Sequence, residues 1–404
     1  MNDKSFFLDI SRLAFSDIRS GIPRVAKGFL RELLKNTSIE YKICPVYSYP
    51  NRLGYWHANR FLREKLDCPS ITAKDEPIFY KDGDIFLTSL DAPRERLAEQ
   101  KQYIDTMYST GVKIYSMVYD LLPFTNPYFF YEKPLYDKKI LGLITPSMND
   151  HQKYFTEWLK TIINYDGVLC ISKHTATSFT TWFSQQQNTK DTFDIQWIHL
   201  GSNIDTCTQR EFSTEFIMIL KKLEDQPTVL VVSTLEPRKG HRQTLKAFEL
   251  LWEKNYSVNL VFVGNSGWGM QDFCSYLDTH PEKNRHLFWL KDISDAELVK
   301  LYQTVTVLLM PSEGEGFGLP VVEAASHGVP LILRNIPVLK EIADKYAYYF
   351  EGTKPTDLVD ALQNWFILYA EHRVPTTKDM KVLTWKESTE MLIDKLHLTN
   401  SNNF

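Results

Sequence analysis

The feature that most constrains this chain is a rhythm. In its second half, TVLVVST (228–234) leads to a helical stretch near 241–253, VNLVFVG (258–264) to one near 269–278, and HLFWL (286–290) to one near 295–302, before VTVLLM (305–310). Such short apolar runs read as strands buried on both faces, and Ser294 with Glu297 has the spacing of a capping box at the start of the third helix. The first half follows the same rhythm through FFLDI (6–10), VKIYSMVY (112–119), GVLCI (167–171) and WIHL (197–200). In PRVAKGFLRELL, Val25, Phe29 and Leu33 share one helical face and Pro23 fits the first turn. Strand then helix, repeated, restricts the chain to the α/β class, with mostly parallel sheets covered on both sides.

The length of 404 residues exceeds the roughly 250 to 300 residues at which a single core stops growing. Two domains are expected: residues 1–205 and residues 223–385, followed by a C-terminal helix and tail over 386–404. The polar, turn-rich GSNIDTCTQREFSTEF reads as the linker, ending near residue 222. Two such domains leave a cleft, and open parallel sheets bind ligands beyond the carboxyl ends of their strands.

Composition excludes several functions. The formal net charge of -4 gives no reason to expect a nucleic-acid partner. The cysteines Cys44, Cys68, Cys170, Cys207 and Cys274 are scattered and odd in number, which argues against a disulfide framework or a structural zinc site. No tight histidine cluster such as H-E-x-x-H points to a catalytic metal, and G-x-S-x-G is absent. The opening MNDKSFFLDIS has a short apolar run broken by Asp9, so a reduced, cytoplasmic protein is expected.

The chemistry-bearing residues stand after strands. PSEGEGFGLPVVEAASHGVP (311–330) follows VTVLLM; Pro320 suits a helix start, and Gly328 with Pro330 suits its end. Gly316 and Gly318 allow close approach of the backbone to a ligand, with the amides of Phe317, Gly318 and Leu319 turned to an anion such as a diphosphate. Glu315 precedes that turn, and Glu323 is expected in the first helical turn, able to accept from a diol. The same residues also fit an acidic surface loop with ordinary capping.

EPRKGH (236–241) follows VLVVST, which makes Arg238 and Lys239 candidates to neutralise phosphate, or else plain solvated cations. In SDIRSGIPR, Gly21 permits close approach to a ligand and Arg24 adds charge, although G-x-G-x-x-G is absent and an ordinary loop reads as well. Asp120, in VYDLLPFTNPYFF, is a candidate contact to a sugar or acceptor hydroxyl beside Tyr119, with core packing and a turn as the alternative. Ser172, in ISKHTATSF, reads as a helix cap or as a lining residue.

These residues together resemble the retaining glycosyltransferases of family 4, with the two-domain GT-B fold of Rossmann-like domains facing across a deep cleft. EGFGLPVVE matches the E-x7-E motif with Glu315 and Glu323, and EPRKGH, SGIPR, YDLLP and INYDGVLCISKHT agree in order and spacing. The resemblance implies a nucleotide diphosphate sugar as donor substrate, with no cofactor and no essential metal. It implies that Glu323 meets the ribose, that Glu315 meets sugar hydroxyls, and that Lys239, Arg238 and the amides of Phe317, Gly318 and Leu319 hold the diphosphate. Ser233 and Thr234 then line the donor site, Gly21 approaches the donor phosphates, and Asp120 joins Glu315, Lys239 and Arg238 among the catalytic residues. The first domain receives a saccharide or lipid-linked saccharide acceptor.

Two positions depart from the pattern. Tyr119 stands where many relatives place a histidine before the aspartate, and Ser233 stands where many carry arginine, six positions before Lys239. The wording VSTLEPRKGH looks like the mannosyltransferase branch of bacterial polysaccharide assembly, which makes GDP-mannose the first donor to consider. An epimerase, a sugar phosphorylase or a weakly catalytic sugar-binding subunit of a polysaccharide assembly complex are the competing readings. NRLGYWHANRFLREKL mixes basic and aromatic residues, so it reads either as a solvated amphipathic helix or as a peripheral contact with the inner face of a membrane.

Overall fold

The computed structural model describes residues 4–16, 21–66, 68, 73–130, 150–187, 192–204 and 211–399. The chain divides into two units, one of residues 1–201 with 383–404 and one of residues 202–382.

The first unit holds seven strands: β1 (Lys4–Asp9), β2 (Tyr41–Tyr47), β3 (Trp56–His57), β4 (Ile85–Thr88), β5 (Lys113–Val118), β6 (Gly167–Cys170) and β7 (Asp194–Trp197). Their order is β3-β2-β1-β4-β5-β6-β7, and all pairings are parallel except β2 with β3. Phe7, Val46, Phe86, Ile114, Val168 and Phe179 belong to its core. The expected strands recur, with one shift. WIHL was expected at 197–200, but β7 ends at Trp197; its Ile198 donates one more bond to Cys170 O, at 2.9 Å, and the chain then leaves the sheet. Ile198 and Leu200 are buried beyond the strand, so their apolarity reports packing and not pairing.

The second unit holds β8 (Thr228–Val232), β9 (Asn259–Val263), β10 (Leu287–Leu290), β11 (Val307–Met310), β12 (Leu331–Arg334) and β13 (Tyr348–Phe350). The order β10-β9-β8-β11-β12-β13 is parallel throughout. Helix His241–Glu253 turns Leu245, Phe248 and Leu251 into the core, where Phe262, Leu309 and Trp365 also lie. Helix Asp295–Thr304 begins with the Ser294–Glu297 capping box read from the sequence.

The observed division differs from the expected bounds of 1–205, 223–385 and 386–404 in two places. The segment expected as a linker up to residue 222 contains helix Thr214–Glu224, capped by Ser213 and burying Phe216, Leu220 and Leu223 in the second unit. Residues 205–210 of that segment, with Cys207, lie outside the described residues. The C-terminal helix, Trp385–Lys395, is part of the first unit. Trp385 meets Phe29 edge to face at 5.5 Å, and Ser388 Oγ donates to His199 O at 2.6 Å. An amphipathic helix has to bury its apolar stripe somewhere, and sequence distance does not say where.

Both strand orders reverse in mid-sheet: between β1 and β4 in the first unit and between β8 and β11 in the second. Adjacent loops there leave in opposite directions and open a crevice at the carboxyl ends, the place where such sheets take ligands.

Candidate active site

In the second unit, the loops after β8 and β11 carry most of the residues singled out from the sequence. They approach closely because of glycine. Gly240 has φ 73°, and a Cβ there would lie 2.6 Å from Pro311 O, so a side chain is excluded both by backbone conformation and by space. Two hydrogen bonds then fasten the loops, the Arg238 side chain donating Nη1 to Gly314 O and the backbone Glu313 N donating to Arg238 O, both at 2.8 Å. Arg334, buried at the end of β12, braces the same turn by donating Nε to Pro311 O at 2.9 Å, with Gln243 Oε1 and Gly352 O taking its other nitrogens.

This closure brings a mixed-charge cluster together. Lys239 Nζ donates to Glu315 Oε1 at 2.6 Å, with the two side chains only 12% and 8% exposed. Arg238 lies 3.1 Å from Glu236 Oε2 and 3.6 Å from Glu315 Oε2. Burial pushes the Glu315 carboxyl upward, but Lys239, Arg238 and a hydrogen bond from Ser312 outweigh it and hold the carboxyl below its ordinary value. Burial, and then the like charge of Arg238, lowers Lys239 from its ordinary value against the pull of Glu315. Next to them His241 is fully buried; desolvation and the Lys239 charge depress its ring to about 3, so it is neutral at physiological pH. Its Nε2 lies 3.3 Å from Ser233 Oγ. The half-buried Thr234 follows Ser233 on the same strand exit.

Gly318, at φ 110°, is the residue before helix Leu319–Ser326, and no side chain caps that helix start. The amides of Gly318 and Leu319 donate to no described residue, so the positive end of the helix is available to an anion. Phe317 is buried, at 3% exposure. Glu323 was expected in the first helical turn, but the helix starts at Leu319 and its first turn holds no acidic residue. Glu323 lies one turn further in, 1% exposed, and accepts from Tyr302 Oη at 2.9 Å. A dipole argument at the helix start therefore applies to the amides and not to this carboxylate.

Gly21, Arg24, Tyr119, Asp120 and Ser172 belong to the first unit, and the other candidates to the second. Gly21 is exposed and begins helix Gly21–Lys35; residues 17–20 before it lie outside the described residues. Asp120 follows β5 and accepts from Leu122 N at 3.1 Å, forming a local turn. Tyr119 donates its hydroxyl to Leu90 O at 2.5 Å, and burial followed by the nearby Asp91 raises it well above the ordinary phenol value. That hydroxyl holds two strand ends together and is no stand-in for an imidazole. Ser172 is a helix cap, accepting from Thr175 N at 3.0 Å.

In the segment NRLGYWHANRFLREKL, Tyr55, Trp56, Phe61 and Leu62 are buried in the first unit, Leu53 is exposed, and Arg52 covers Trp56 at 4.4 Å. No helix among the described residues is long and apolar enough to cross a membrane. No group of three or more His, Cys, Asp or Glu side chains placed to hold a metal occurs among them.

Four members of the site were missed from sequence: Glu236, Ser312, Tyr302 and Arg334. Glu236 stands two positions from Arg238 and Ser312 three from Glu315, so both were legible as local partners; Tyr302 and Arg334 come from elements whose proximity only the sheet order supplies.

Residues 213–378 match the family model Glycosyl transferases group 1. Over 398 residues, 97% of this chain, the sequence is 34% identical to the serotype-specific mannosyltransferase WbdA of Escherichia coli, of which those residues cover 46%. The chain thus spans about half the length of that relative. A shorter stretch of 131 residues, 32% of the chain, is 34% identical to the O-antigen chain mannosyltransferase B of Escherichia coli and covers 34% of it. Among solved structures, Anabaena Alr3699/HepE in complex with UDP and glucose superposes with TM-score 0.64 at 14% identity, over 98% of this chain and 99% of that one. The fold is therefore that of the GT-B glycosyltransferases. Residues 213–378 are thus similar to the group 1 glycosyl transferases, and the chain is similar to the O-antigen mannosyltransferases.

Proposed function

We propose that this chain transfers a hexose from a nucleotide diphosphate sugar, with GDP-mannose as the first donor to test, to a saccharide or lipid-linked saccharide acceptor in surface polysaccharide synthesis. The observation that carries the proposal is the pairing of an uncapped helix start at Gly318 with the Arg238–Lys239 pair, at the strand-order reversal of the group 1 unit. The names of the similar Escherichia coli proteins, mannosyltransferases of serotype and O-antigen, support mannose and polysaccharide over other sugars and products.

The chemical difficulty is a bond between an anomeric carbon and a diphosphate oxygen. As it breaks, positive charge grows on the sugar and negative charge on the departing phosphate. Arg238 and the amides of Gly318 and Leu319 are in place before the reaction, with Lys239 beside them, so the charge that stabilises the leaving group is gathered before the bond breaks. Glu323, held by Tyr302, takes the ribose diol, and Glu315 takes sugar hydroxyls. The acceptor hydroxyl attacks on the face from which the diphosphate departs, its oxygen bonding to the anomeric carbon and its proton passing to the departing phosphate oxygen. Configuration is retained. The first unit takes the acceptor, at the strand ends where Asp120 stands. No metal or cofactor enters the scheme.

The test is a mass-spectrometric screen of GDP-, UDP- and dTDP-sugars against free and lipid-linked oligosaccharides, with the new linkage read by NMR. An α-linked mannosyl product from GDP-α-mannose is the expected result. Transfer from no donor, with donor still bound, would make the chain a sugar-binding subunit; epimerised sugar released without acceptor would make it an epimerase.

A further inference from the structure

The cations at the site are already matched by anions of the protein. Lys239 and Arg238 face Glu315 and Glu236 at 2.6 to 3.6 Å, two positive and two negative side chains, so the cluster offers no net charge to an arriving diphosphate. We propose that Glu315 is a built-in counter-anion that makes the basic pair select an intact nucleotide sugar over free nucleoside diphosphate. The inference rests on the donor site described above and adds to it a reason for product release.

The argument is one of exchange. A phosphate oxygen that draws the Lys239 ammonium toward itself competes with Glu315 Oε1, which sits 2.6 Å from it. Glu315 is 8% exposed, so water does not readily take the place of its lost partner; Ser312 and, at 3.6 Å from the other oxygen, Arg238 are what remain. A buried carboxylate stripped of its cation is strongly unfavourable. An intact donor repairs the loss, because a hydroxyl of its sugar can donate to the oxygen that Lys239 has left. Free nucleoside diphosphate carries no sugar and leaves the Glu315 oxygen that faced Lys239 with no replacement donor. The carboxylate therefore penalises the product of the reaction and spares its substrate.

Glu315→Gln removes the negative charge and keeps the shape. Calorimetric titration of the full chain with GDP and with GDP-mannose, and with UDP and UDP-glucose, at one ionic strength reads the effect. Nucleoside diphosphate is expected to bind E315Q on the order of tenfold more tightly than the unaltered protein, while the preference for the intact donor shrinks. Unchanged or weaker nucleoside diphosphate binding by a folded E315Q protein overturns the proposal. Should E315Q unfold, Glu315→Asp withdraws the carboxylate from Lys239 by one methylene and is expected to shift both affinities in the same directions; weaker nucleoside diphosphate binding by E315D counts equally against it. Lys239→Ala separates this idea from the reading beneath it. If K239A binds nucleoside diphosphate as well as the unaltered protein, the basic pair is not the phosphate site and both fall; if K239A weakens binding while E315Q fails to tighten it, the donor site stands and only the counter-anion role is lost.

Discussion

The two strand-order reversals of this chain share a topology and differ in how they manage buried charge. At the β8–β11 reversal, cations and carboxylates are interleaved, and Glu315, although buried, is held below its ordinary value by Lys239 and Arg238. At the β1–β4 reversal, Asp9 is 2% exposed and has hydroxyl and amide partners, accepting from Ser11 N at 3.0 Å, from Ser11 Oγ at 2.5 Å and from Tyr55 Oη at 3.3 Å. Those hydrogen bonds do not offset desolvation, and the carboxyl rises to about 6. Its neighbour Asp91, also fully buried, is paired with Arg12 and is still raised by burial. The lesson is that topology supplies a crevice, while the loop residues decide whether it is electrostatically ready for an anion.

Breaking the cationic side should have the largest effect. Lys239→Ala removes a charge-assisted contact and leaves Glu315 with only its Ser312 and Arg238 partners; transfer is expected to fall by about 3 kcal/mol of transition-state stabilisation, near a hundredfold. Steady-state kinetics with the donor found by the screen checks it, and an unchanged kcat/KM removes Lys239 from the machinery.

The acidic side predicts a pH dependence of opposite origin. Asp9 has a folded value of about 6 against an ordinary 3.8, so its protonated form is favoured by folding. Its contribution is complete below the ordinary value and is lost as pH rises through the folded one, a swing of about 2 to 3 kcal/mol. Urea unfolding from pH 4 to pH 7 should show that decline superimposed on the other titrations, and Asp9→Asn should reduce it; an identical profile for the variant would show that Asp9 does not titrate on folding.

Gly240→Ala sharpens the comparison by parting the two loops without touching a charge. With φ 73° and Pro311 O in the way, the substitution is expected to destabilise the second unit by about 2 kcal/mol and to weaken nucleotide binding. A thermal shift of zero would mean that the loops close without it. Smallest of all is Tyr119→Phe, which loses one bond to Leu90 O: about 1 kcal/mol of stability, with transfer unaltered. A large loss of activity in a stable Y119F protein would return the hydroxyl to the chemistry.

Much of this was legible beforehand because the relevant signals are local. Strand Thr228–Val232, helix His241–Glu253 and the Ser294–Glu297 cap follow from short-range periodicity and capping. The proline in YKICPVY masks the strand character of β2; Pro45 is tolerated next to a two-residue edge strand whose pairing begins only at Val46 with His57. Glu315, Lys239 and Arg238 stood out as charges after strands, but their mutual neutralisation did not.

What the sequence determined by itself is the α/β class, the two-domain length, and the loops on which charge and glycine gather after strands, because each depends on residues a few positions apart. Only the tertiary structure decided that the loops after β8 and β11 are neighbours, that Tyr302 holds Glu323, that the C-terminal helix packs on Phe29, and that Tyr119 supports Leu90. The partners in these contacts are separated by some twenty to several hundred residues along the chain. Their meeting depends on strand order and on where each apolar face finds cover, free-energy differences summed over the whole core that no short window contains.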